Sequence, residues 1–190
     1  PVYTFVVYTS GIATFTGERY TNRQGLYIRK LSTTEMDKVK EQLTAANIWQ
    51  YPPIFRSNLP DLPTITITQY EDRVSKSVTG KESLPAEVQQ LRDGLEQLAN
   101  TGEWTLRRAP DYGLPPGVTP NELIIQLRPG VFADSWSLQY VRQGLRLIRS
   151  FPAENNLWLF SYDLNLASPQ EMQQMLRYDQ QVLKYEFNPK

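Results

Sequence analysis

Residues 2–8 (Val-Tyr-Thr-Phe-Val-Val-Tyr) gather β-branched and aromatic side chains into one short run, and residues 12–20 resume it after Ser10-Gly11. Such side chains suit a pleated, half-buried surface, so two runs about a Ser-Gly turn predict a β-hairpin. Residues 25–31 predict a third strand. The period then lengthens: Met36, Val39, Leu43 and Ala46 recur at helical spacing. Ser32 with Glu35 three residues on is a capping box, in which each side chain bonds a backbone N–H of the first turn. The helix should end near Asn47, because Pro52 and Pro53 cannot continue it. Residues 64–68 alternate threonine with isoleucine, giving one apolar and one hydroxylated face. Glu71-Asp72 turns this strand toward a partner at 73–78. Pro85-Ala86-Glu87 opens a second helix with Val88, Leu91, Leu95 and Leu98 on one face, and Asn100-Thr101-Gly102 stops it. The order β-β-β-α-β-β-α predicts an antiparallel sheet with helices on one face.

Residues 107–120 then hold four prolines and two glycines, the composition of a stiff boundary. It divides the chain into domains at 1–108 and 118–190, joined by a linker at 109–117. Trp104 and Leu106, just before it, either complete the first domain or pack between the two. Beyond it the pattern predicts a strand at 121–128 and a helix at 135–144 burying Trp136, Tyr140 and Val141. Strands follow at 145–151 and 157–162 about a turn at 152–156. Ser168-Pro169-Gln170-Glu171 is a second capping box with proline at the first helical position. Met172, Met175 and Leu176 form the apolar face of that helix, and residues 181–187 make the last strand. This order, β-α-β-β-α-β, is ferredoxin-like. The fold class is α+β.

In residues 155–163 (Asn-Asn-Leu-Trp-Leu-Phe-Ser-Tyr-Asp), Trp158, Phe160 and Tyr162 share one face of a central strand, and Leu157 and Leu159 share the other. Helices cover one sheet face only in this arrangement. An aromatic row on the second face would need cover, either from a binding partner or from the first domain or a second copy.

Composition narrows the chemistry. Of 190 residues 40% are hydrophobic, enough for a core, and twenty basic residues balance twenty acidic ones. A neutral chain lacks the electrostatic footprint of a nucleic-acid binder. With no Cys and no His, disulfides, Cys/His zinc sites and Ser-His-Asp triads are excluded. No apolar run approaches the ~20 residues that span a bilayer, so membrane insertion is not expected. Pro1 opens directly on a strand pattern without Met, from which we expect an upstream segment to have been removed. Asp61, Glu71, Asp72 and Glu82 show no metal-loop spacing and read as turn chemistry. Arg142, Arg146 and Arg149 read as a solvated face, with a phosphate or acidic-partner patch as the alternative. No Walker loop or dinucleotide fingerprint is present. We therefore expect no cofactor and no enzyme activity of a recognised type.

Two resemblances add to this reading. The opening Pro-Val-Tyr-Thr-Phe-Val-Val-Tyr with Ser10-Gly11, the long helix, and Asp61-Leu-Pro-Thr-Ile-Thr-Ile-Thr resemble the bacterial domain of unknown function numbered 6438, over about residues 1–100. That resemblance implies an extracytoplasmic location, whether periplasmic, secreted or lipoprotein-anchored, and no activity. Glu122-Leu-Ile-Ile-Gln-Leu-Arg-Pro-Gly-Val131, the Ser168 helix and Val182-Leu-Lys-Tyr-Glu-Phe-Asn-Pro189 resemble subtilase propeptides and related peptidase-inhibitor domains. In that family an open sheet face packs on the protease and the tail enters its cleft. The expectation is a non-catalytic exported interaction protein whose partner is another protein or a peptidase. A peptidase inhibitor is the alternative, and an enzyme of unrecognised type stands third.

Overall fold

The structure, a computed structural model, describes residues 1–59, 62–151 and 156–190. The chain is α+β. Its strands are β1 (Val2–Val7), β2 (Ile12–Arg19), β3 (Gly25–Lys30), β4 (Ile65–Glu71), β5 (Val74–Gly80), β6 (Thr105–Arg108), β7 (Val118–Leu127), β8 (Arg146–Ser150), β9 (Leu157–Ser161) and β10 (Val182–Pro189). Its helices are α1 (Thr33–Ala46), α2 (Ala86–Asn100), α3 (Ala133–Ser137) and α4 (Pro169–Tyr178), with 3₁₀ turns at Ile48–Gln50 and Leu138–Gln143. Strand orders are β1-β2-β3-β6, β10-β7-β9-β8 and the pair β4-β5. Two compact units result. One comprises Pro1–Thr4, Thr16–Leu26 and Leu106–Lys190; the other comprises Phe5–Phe15 and Tyr27–Thr105.

In the second unit, local signals set the helices. Ser32 Oγ accepts from the Glu35 N–H at 3.2 Å, and the Glu35 carboxylate accepts from the Ser32 N–H at 2.8 Å. At the other end Asn47 turns left-handed, φ 39°, and its N–H closes on the Leu43 carbonyl at 3.0 Å. Asparagine tolerates that conformation, so the helix ends where its sequence permits. Val88 and Leu91 of α2 bury against Ala46, Ile48, Leu84, Ile67 and Val78. The opposite face of the β4–β5 ribbon carries hydroxyl pairs, Thr66 with Thr79 at 2.9 Å and Thr68 with Ser77 at 2.8 Å. A second cluster joins Ala13, Leu31, Val39 and Leu98, with Trp104 packed on it and 6.0 Å from the Phe5 ring.

Two features differ from expectation. The single sheet expected over residues 1–100 is two: β4 and β5 pair only with each other, in register from Ile65–Gly80 to Glu71–Val74. The segment Thr105–Arg108 is a strand, β6, beside β3. All four of its residues are exposed, so it carries no alternation by which pattern reading could find it.

In the first unit β7 is central, antiparallel to β10 on one side and β9 on the other, with β8 antiparallel to β9. Leu123, Ile125 and Leu127 of β7 point into a core closed by Trp136, Tyr140, Met172 and Leu176. α4 opens on the expected capping box: Ser168 Oγ accepts from Glu171 N at 3.2 Å and Glu171 accepts from Ser168 N at 2.7 Å. Met175, expected on the buried face of α4, is exposed. The expected turn at 152–156 lies, except for Asn156, outside the described residues.

Candidate functional site

The aromatic row runs along β9, from Trp158 through Phe160 to Tyr162 just past its end. In the β7–β9 register Leu123 faces Phe160 and Ile125 faces Trp158, which puts the row on the helix side of the sheet. Phe160 and Tyr162 are buried, 0% and 3% exposed, and the Trp136 ring stands 5.2 Å from that of Phe160. Trp158 is half-buried against the same core, its indole N–H donating to Asn156 at 2.7 Å. The Tyr162 hydroxyl donates to the Pro120 carbonyl at 2.5 Å. Burial, and then the nearby Tyr112, push that hydroxyl's pKa well above the ordinary tyrosine value. The row expected to face a partner or another domain therefore forms part of the core of its own unit, and Leu157 and Leu159 take the other face.

The remaining sequence candidates stay apart. Asp72 sits in the β4–β5 turn at φ 50°, and Glu71 accepts from Gln69 at 2.8 Å. Glu82 accepts from the Ser57 hydroxyl at 2.5 Å, a bond that lowers its pKa. Asp61 lies outside the described residues. Among the described residues no cluster of three or more His, Cys, Asp or Glu could hold a metal. A shallow polar groove of about 250 Å³ lies between α1 and α2, lined by Lys38, Glu41, Gln42, Ala45, Glu87 and Gln90. The chain end is tied down: Asn188 donates to Glu122 at 2.6 Å and the Lys190 N–H to the Gly117 carbonyl at 2.8 Å.

The surface with the most unusual chemistry is built on α3 and the 3₁₀ turn after it. Trp136 and Tyr140 point inward, and a single carboxylate fixes them. Asp179, at the C-terminal end of α4, accepts from Trp136 Nε1 at 2.9 Å, Tyr140 Oη at 2.7 Å and Gln139 Nε2 at 3.1 Å. Its other oxygen takes the Gln181 N–H at 2.8 Å. Burial first, then Asp179, raise the Tyr140 pKa far above the ordinary value.

With that side anchored, the other side faces water. Leu138 and Val141, three residues apart in the 3₁₀ turn, both face outward. They are 68% and 65% exposed, and Phe132 just before α3 is 79% exposed. Val141, expected to be buried, is outward: α winding gives way to 3₁₀ after Ser137 and Tyr140 leaves helical φ/ψ (φ −106°, ψ 18°), so Val141 does not continue the inward row of Trp136 and Tyr140.

α3 packs beside β8, the edge strand of its sheet. There Ile148 falls at a register irregularity between Leu147 and Arg149 and is 52% exposed. Arg142, Arg146 and Arg149 are all exposed. The Arg149 guanidinium lies 4.3 Å over the Phe151 ring. No ion pair engages these three among the described residues, whereas Arg19, Arg29 and Arg92 each hold a carboxylate. Sequence reasoning noted the arginines but missed Phe132 and Leu138. Leu138 was signalled by its position off the Trp136–Tyr140 row, whereas Phe132 sits four residues before Trp136 and leaves the row only because it is the extended N-cap of α3.

The family model described as Domain of unknown function (DUF6438) matches residues 1–99, just over half of the chain. None of the curated proteins and none of the solved structures compared with it matches.

Proposed function

The chain belongs to that family of unknown function, and from this premise we propose an exported, non-catalytic interaction protein that binds through the surface of residues 132–149. The observation that carries the proposal is the exposure of Phe132, just before α3, and of Leu138 and Val141 on the turn after it, with that segment anchored to Asp179. Scattered exposed apolar residues need no explanation; several large ones in a segment that also carries three exposed arginines mark an interaction surface. A photo-crosslinking residue at position 138 of the full chain, in cells that export it, is expected to form an adduct. The same residue at position 70, whose tyrosine is equally exposed, is the control. Equal yields at both positions, or no adduct at 138, would remove the proposal.

A second reading, peptidase inhibition by residues 118–190, draws support from the wholly antiparallel order β10-β7-β9-β8, which a ferredoxin-like arrangement requires. Its inhibitory tail would have to leave the bond between Lys190 and Gly117. Incubation of the full chain with a subtilisin-type protease separates the cases: inhibition with the chain intact supports this reading, and cleavage as an ordinary substrate counts against it.

A further inference from the structure

We propose that the partner of this surface is an anionic lipid bilayer, on which the protein adsorbs without spanning it; the inference rests on the surface assigned above. Charge is the first argument. Residues 131–150 carry Arg142, Arg146 and Arg149 against one acid, Asp134, a formal +2 within a chain of net charge zero. Among the described residues the three arginines hold no carboxylate, and all three are exposed to an external anion. Shape is the second. Phe132, Leu138, Val141 and Ile148 stand out from a short turn and an edge strand rather than lining a hollow. A protein partner recognises by close complementary packing. Exposed apolar side chains and exposed arginines carried on one segment instead match the boundary of headgroup and acyl chain, which deforms around each and rewards both kinds of contact.

The test is co-sedimentation of the full chain with phosphatidylcholine vesicles, with and without phosphatidylglycerol. Binding is expected only to the anionic vesicles and should fall at high salt. Each Arg→Gln change among Arg142, Arg146 and Arg149 should weaken it roughly five-fold. The triple variant Phe132→Ser, Leu138→Ser, Val141→Ser should lose it while melting like wild type, since all three side chains are exposed. Tyr70→Ser should bind as wild type. Equal binding to both vesicle types, no binding to either, or wild-type binding by the variants would overturn the proposal. If vesicles fail while position 138 crosslinks to a protein, the lipid assignment falls and the binding surface stands. If both fail, both fall.

Discussion

Arg19 holds Glu171 with both ends of its guanidinium, Nη1 to Oε1 at 3.0 Å and Nη2 to Oε2 at 2.9 Å. The same carboxylate closes the capping box of α4. Arg29 repeats the arrangement on Glu35 at 2.8 Å, where Glu35 closes the capping box of α1. One carboxylate thus serves a helix end and a strand at once. The Arg19–Glu171 pair is about a third exposed on each side, so solvent screens it. Arg19→Ala should cost at most about 1 kcal/mol. Glu171→Ala, which also removes the cap, should cost about 1–2 kcal/mol. A double-mutant cycle by urea denaturation checks both figures.

Acid should loosen both helix starts. The pKa values of Glu35 and Glu171 are lowered, chiefly by the backbone N–H of Ser32 and of Ser168, with the two arginines adding to it. A depressed folded pKa stabilises the fold above the unfolded value. That contribution is lost as pH falls below the ordinary glutamate value of about 4.3 and on through the lower folded pKa. Melting temperature should therefore drop below about pH 4.3. The drop should shrink in the variant Glu35→Gln, Glu171→Gln; an unchanged acid slope would contradict the assignment.

Asp179 is the anchor of the exposed turn. Asp179→Ala strands the Trp136 indole N–H and the Tyr140 hydroxyl in a buried setting, and should cost about 2–4 kcal/mol. Tyr140→Phe loses one bond and should cost about 1 kcal/mol. Tyr140 and Tyr162 are held neutral, with folded pKa values raised. Their stabilising contribution is complete below the unfolded value of about 10 and is lost as pH rises beyond it. Ultraviolet titration should show these two ionising only when the chain unfolds in alkali.

Phe160→Ala should be severe, about 3–5 kcal/mol, because a fully buried ring leaves a cavity among Trp136, Leu123 and Met172. Trp158→Ala should cost less, since its ring is only half-buried. Chemical denaturation of the two variants ranks them; a Phe160→Ala variant as stable as wild type would place the row outward after all.

The contrast between these residues shows what was legible. Both capping boxes, the end of α1 near Asn47 and the Ile/Thr alternation of β4 were readable because each signal lies within a few residues. Alternation likewise told that Trp158, Phe160 and Tyr162 share a face, but not which face the helices cover; pairing with Leu123 and Ile125 decides that. Val141 was misplaced because helical spacing assumes one continuous α-helix, whereas the winding tightens after Ser137 and breaks at Tyr140. β6 escaped notice because none of its residues is buried.

That turn also offers the most direct test of the account. The chain has no cysteine, so a single introduced thiol reports one position. Leu138→Cys and Val141→Cys in the native protein should react with a maleimide as fast as in urea, while Leu123→Cys, from the core, should stay protected until unfolding. If the thiols at 138 and 141 were protected like that at 123, the turn would be packed inward, and the binding surface and its lipid partner would both be wrong.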